Sequence, residues 1–296
     1  MSKGGYAMYV IFTDTDTDIT PEKAAEYGYH LISMPYTVNG KDVFPYVDFD
    51  KFDSKAFYSS LRKGLMPKTS GLSPETYYEA FAPFFKEGKD ILYAHFSAAM
   101  SGTFAAMNIA LERLKEEYPE RKFYSLDTKG ITIGSYNIVC EVGQMYKDGK
   151  SAEEIMKWAE TEVDKFATYF FVEDLSFFRR SGRVSGISAI MGNLIGIRPI
   201  ITMNSEGKMA SCDKARGRKQ VIAKIMNVVE ELQEDIYSHK VILAHSDYED
   251  AAKELENALR AKFGEKLDIE YVDINPTAGS HCGPNGVGVN FHAKHR

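Results

Sequence analysis

Short apolar runs take turns with longer amphipathic stretches through the first half of the chain, and few architectures accept that order. An uninterrupted apolar run reads as a strand covered on both faces. The amphipathic stretch behind it reads as the helix that carries the chain back across the sheet. MYVIFTD reads as a strand that stops at Asp14, and the polar turn after it leads to Pro21, a residue suited to a first helical turn. LISMPYTV is the next expected strand, and DSKAFYSSLRKG follows as a helix with Phe57 and Leu61 four residues apart. KTSGLS reads as a loop into a helix capped by Ser73, with Pro74 in its first position. DILYAHFS, SGTFAAMNIALERLKEEY, KFYSLDTK and ITIGSYNIVCEVGQMYKDG then repeat the order strand, helix, strand, helix.

The texture changes after KSAEEIMKWAETEVDKF, a helix capped by Ser151. IRPIITM and KMASCDK read as two strands about the turn NSEG, which points to antiparallel pairing. VILAHSD, the helix YEDAAKELENALRAKF, LDIEYVDI and GVGVNFHA complete this half. The expected fold class is therefore α/β in two domains. A Rossmann-like parallel-sheet domain is expected over 1–167, and a carboxyl-terminal α/β domain with a mixed or antiparallel sheet over 168–296. A chain of 296 residues suits two cores of ordinary size.

A net charge of -6 argues against a nucleic-acid partner, which needs a basic footprint. Cys140, Cys212 and Cys282 lie far apart without a CxxC pair, so neither a disulfide framework nor a zinc ribbon is signalled, and a reducing cytoplasm fits best. The opening MSKGGYAMYVIFTD lacks the long apolar core of a signal peptide. The uncharged run VSGISAIMGNLIGI between Arg183 and Arg198 is 14 residues and too short to span a bilayer, so no stable membrane insertion is expected.

Ligands of open α/β sheets settle at the carboxyl ends of the strands. Four polar clusters fall there: TDTDTD (13–18), KTSGLS (68–73), HFSAAMSG (95–102) and SLDTKG (125–130). Helix starts at such places present unpaired backbone N–H groups that favour a carboxylate or phosphate, and Thr69, Ser97 and Ser101 add hydroxyl donors. Helix capping is the plainer role for the same residues. A nucleophilic Ser97 would need His95, His245 or His281 as base and Asp127 or Asp14 as orienting acid, yet HFSAAMSG is not the GxSxG elbow. The alternating Asp14, Asp16 and Asp18 lack the downstream glutamate of a calcium loop and read as a solvated charge run, so no metal is expected. GxGxxG and the P-loop pattern are absent, and no cofactor is expected.

In the second half, Arg179, Arg180 and Arg183 precede an uncharged, glycine-punctuated helix, and Gly182 allows a sharp turn that aims Arg183 inward at an anion. Arg216 and Arg218 form a second basic site, where an exposed strand edge or a docking surface is read equally with a ligand contact. His281 falls in a glycine-rich loop before a strand.

Taken in order, TDTDTDIT, PKTSGLSPETY, SAAMSGTFAAMNIA, SLDTKGITIG, VEDLSFFRRSGRVSG, IGIRPIITMNSEGKM and HCGPNGVGVNF resemble the DegV family of bacterial fatty-acid-binding proteins over nearly the whole chain. The resemblance implies two α/β domains enclosing an apolar ligand tunnel at their interface, with a long-chain fatty acid as bound ligand. Thr69 and Ser97 match the family's carboxylate site, Arg183 and His281 support it, and Ser70 and Ser101 are neighbours. Ala98, Ser181 and Gly71 depart from the usual family pattern. The resemblance further implies a carrier, not an enzyme, that presents the acid to a separate fatty acid kinase for acyl-phosphate formation, with Arg216 and Arg218 as docking residues. A serine hydrolase acting through Ser97 is the alternative.

Overall fold

The computed structural model describes residues 9–183 and 196–296. The uncharged helix expected after Arg183 lies outside the described residues. The strands of the first half are β1 (Tyr9–Asp14), β2 (Tyr29–Ile32), β3 (Tyr36–Val38), β4 (Lys41–Val43), β5 (Lys68–Thr69), β6 (Asp90–His95) and β7 (Phe123–Asp127). Its helices are α1 (Pro21–Tyr27), α2 (Ser54–Arg62), α3 (Pro74–Lys86), α4 (Thr103–Glu117), α5 (Ile133–Lys147) and α6 (Ala152–Glu162). Four of the strands form a parallel sheet in the order β2-β1-β6-β7, and β4-β3-β5 form a small antiparallel sheet beside it.

LISMPYTV is two strands in two sheets and not one. Pro35 carries no N–H for a ladder, so the run breaks between β2 and β3, and the Met34 N–H is satisfied by Thr15 Oγ1 at 2.9 Å. The KTSGLS loop likewise begins as β5, whose Thr69 pairs with Tyr36 of β3.

The second half runs β8 (Phe166–Val172), α7 (Ser176–Ser181), β9 (Ile197–Met203), β10 (Met209–Arg216), α8 (Arg218–Leu232), β11 (Val241–His245), α9 (Glu249–Phe263), β12 (Ile269–Asp273), α10 (Pro276–Cys282) and β13 (Gly286–His292). Six strands form a mixed sheet in the order β10-β9-β8-β13-β11-β12, parallel at β11–β12 and antiparallel elsewhere. The fold class is thus α/β, as the alternation demanded.

Side chains alternate across each sheet with a period of two. Val10, Phe12, Ile91 and Tyr93 face α3 and α4, whereas Ile11, Leu92 and Ala94 face the opposite way, onto α5. In the six-stranded sheet, Val241 and Leu243 face α8 and α9, while Ile242 and Ala244 join the same core as α5. One helix therefore serves both sheets. This explains why α5 is buried without a break from Ile133 to Cys140 instead of along one stripe. A polar chain crosses that layer: Asn137 Nδ2 donates to Asn290 Oδ1 at 2.9 Å, and Asn290 Nδ2 donates to Thr168 Oγ1 at 3.0 Å.

Candidate ligand-binding cavity

A cavity of about 320 Å³ opens where the carboxyl ends of the parallel strands meet the second sheet. That lies within the roughly 300–1,000 Å³ of small-molecule sites. Its wall draws Leu72, Phe96 and Met100 from the first half and Phe170, Val172, Phe178, Met203 and Met209 from the second, so most of it is apolar. A second cavity of about 290 Å³ lies beside it, bordered by Met66, Lys68, Phe177 and Arg180. Thr69, Arg183 and His281 border both. They stand between a greasy interior and a cationic vestibule.

Local structure fixes each of the three. Thr69 is held by β5, and its Oγ1 lies 2.9 Å from His281 Nε2. His281 sits in the last turn of α10, not in a loop; Asn275 caps that helix by accepting from the Ala278 N–H, and Pro276 follows the cap. Burial, reinforced by the charge of Arg183, pulls the imidazole down to about 4, so it is neutral at pH 7. Its Nδ1 is buried with no partner among the described residues. Arg183 follows Gly182, which closes α7 at φ 73°, a left-handed turn that glycine adopts freely. Ser70 and Ser101 line the inner cavity as well.

Ser97 is placed elsewhere. It is fully buried beside the wall, donates from Oγ to the Gly207 carbonyl at 2.7 Å, and accepts from the Ala99 N–H. Gly207 lies in the turn between β9 and β10, so this bond ties the hairpin of the second sheet to the first sheet. A nucleophilic constellation is not assembled around it. The His95 nitrogens are engaged by the Phe96 carbonyl and Ser125 Oγ, and among the described residues no imidazole bonds Ser97. Arg218 is already committed to Glu254 and to the Tyr248 hydroxyl, and Arg216 ends β10 with its side chain exposed.

The run of aspartates is not solvated. Asp14, Asp16 and Asp18 are 0 %, 5 % and 4 % exposed, because the short helical turn after β1 tucks under the second half. Asp14 accepts from the Asp16 N–H at 3.0 Å, the Tyr93 hydroxyl at 3.0 Å and the Phe96 N–H at 3.2 Å. Asp18 Oδ1 accepts from both the backbone N–H and the Nδ2 of Asn275. Burial raises all three, Asp14 well above the usual carboxylate range, Asp16 to about 7 and Asp18 to about 8. Asp16 lines the inner cavity, together with Thr132 and Thr277. Sequence reading missed these three as wall residues. The usable signal was the Asn275–Pro276 pair, which marks a helix start and so turns Thr277 and His281 onto one helix. Among the described residues no group of three or more His, Cys, Asp or Glu is placed to hold a metal ion, and no helix is long and apolar enough to cross a membrane.

Residues 8–294 match a family model described as "Uncharacterised protein, DegV family". A DegV domain-containing protein of Clostridium perfringens is 33% identical over 284 residues, covering 96% of this chain and 97% of its own. A fatty acid binding DegV family protein from Streptococcus agalactiae superposes with a TM-score of 0.82 at 25% identity, covering 97% of this chain and 99% of that one. A Thermus thermophilus DegV family protein described for its fatty acid binding shares the fold with a TM-score of 0.83 at 22% identity, covering 96% and 99%.

Proposed function

The chain belongs to the DegV family, and on that premise we propose that it holds a long-chain fatty acid in the inner cavity, with the carboxylate at Thr69, His281 and Arg183. The observation that carries this reading is the apolar cavity whose wall turns polar and cationic at those three residues. Burying about fifteen methylenes at roughly 0.8 kcal/mol each favours binding by on the order of 12 kcal/mol, before the costs of association. A carboxylate taken out of water loses several kcal/mol of hydration unless partners replace it, and here the guanidinium supplies charge while Thr69 and the neutral imidazole supply hydrogen bonds. Ser70 and Ser101 stand nearby on the wall, and Ser97 acts through the hairpin it holds. The structures from Streptococcus agalactiae and Thermus thermophilus, described as binding fatty acids, support the same ligand class.

The finer parts of the proposal follow from that reading. The cavity belongs to a tunnel between two domains divided near residue 167; the parallel sheet is complete by Asp127 and the six-stranded sheet starts at Phe166. The protein acts in the cytoplasm as a carrier without chemistry of its own, and presents the carboxylate to a fatty acid kinase that docks at Arg216 and Arg218. Native mass spectrometry of the purified protein tests the core of this: an acyl ligand, or uptake of added palmitate or oleate, is expected. A protein that carries none and refuses both would sink it.

A further inference from the structure

Asp16 is an unusual group to find on an apolar wall. It is 95% buried, as its 5% exposure shows, and it borders the inner cavity but not the vestibule. Its Oδ1 has no hydrogen-bond partner among the described residues. The Thr277 hydroxyl stands beside this carboxyl on the same wall. That hydroxyl already gives its single proton to the Met34 carbonyl at 3.0 Å, so towards Asp16 it can only accept. Asp16 Oδ1 is thus left wanting a donor. Thr132 stands at the same place, its N–H donating to the Asp16 carbonyl at 2.9 Å. Its φ of 53° is a left-handed conformation that a β-branched residue rarely takes, and such strain gathers where a site needs a side chain held in place.

A plain alkyl chain has no donor to offer, and neither does a ketone. We propose that Asp16 is a second polar station in the cavity, which accepts a hydrogen bond from a hydroxyl on the chain of the bound acid, so that hydroxylated long-chain acids are preferred over their unsubstituted parents. The helix α10 sets the distance to the head group. Thr277 and His281 are four residues apart, about 6 Å along the axis, so the hydroxyl belongs on a carbon near the carboxylate and not near the methyl end. The inference rests on the fatty-acid reading above and narrows the ligand class of the same cavity.

Calorimetric titration with hexadecanoate and with both enantiomers of 3-hydroxyhexadecanoate tests it. One enantiomer is expected to bind about tenfold tighter than the parent, the effect of one buried acceptor gaining its donor. Asp16→Val should abolish the preference and Asp16→Asn, which keeps an acceptor oxygen, should retain it. If the parent binds the wild type as tightly as either hydroxy acid, or if Asp16→Val leaves the ratio unchanged, the station does not exist. Should Asp16→Val not fold, the wild-type ratio and the Asp16→Asn ratio decide alone. Binding of neither acid overturns the carrier reading and this inference with it, whereas tight binding of hexadecanoate with no hydroxyl preference overturns only the inference.

Discussion

His281 and the buried aspartates pull stability in opposite directions along the pH axis. The imidazole is depressed to about 4, so its contribution is present above its unfolded value near 6.5 and is lost as pH falls through 4. Asp16 and Asp18 are raised to about 7 and about 8, so theirs is present below the unfolded carboxylate value near 4 and is lost as pH rises through 7 and 8. Between about pH 4 and 6.5 the raised carboxyls outweigh the single imidazole, so the melting temperature is expected to fall as pH rises from about 5 to about 8. Asp18→Asn keeps an acceptor for Asn275 while removing the buried charge, and should raise the melting temperature at about pH 9 while changing it little at about pH 5; an unchanged difference between the two conditions would refute the assignment. At the head group, His281→Ala is expected to weaken fatty-acid binding by about tenfold, in line with one hydrogen bond to a charged group, with no such loss in His281→Gln, which retains a donor. Displacement of a fluorescent fatty acid reads both.

Among the elements, the β9–β10 hairpin is the most exposed to a single substitution. Gly207 holds φ 73°, and a Cβ there would fall 2.2 Å from Ser97 Oγ. Gly207→Ala should cost about 1–3 kcal/mol, from the left-handed backbone and from the lost Ser97 bond together. Chemical denaturation measures it, and a loss below a few tenths would show that the hairpin is not held. Elements with strong end signals were legible from sequence alone: Ser73 with Pro74 opens α3, and Ser151 opens α6 with a complete capping box. Others were hidden by physics that acts at a distance. Nothing local in LISMPYTV shows that Pro35 sends its two halves to different sheets. The aspartates of TDTDTD look like a surface run until Asn275, more than two hundred residues away, arrives to satisfy Asp18. Thr69 and His281 were legible as polar residues beside turns, but their 2.9 Å contact is a product of the assembled fold.

For the whole molecule, the decisive feature is that α5 lies in the core of both sheets. Neither sheet can lose its partner without exposing a helix buried from Ile133 to Cys140, so the halves are expected to melt together. Calorimetry should give one transition with matching calorimetric and van't Hoff enthalpies; two resolved transitions would contradict it. A saturating fatty acid, at about a hundred times its dissociation constant, should add about 2.7 kcal/mol to the unfolding free energy. With α5 pinned between the sheets, a separate tie joins them beside the cavity wall, where the Ser97 hydroxyl clasps the Gly207 carbonyl. A clasp of that kind governs traffic more than appetite. Cutting it, as in Ser97→Ala, should shorten the residence time of the acid and hasten its uptake alike, leaving the equilibrium nearly where it was.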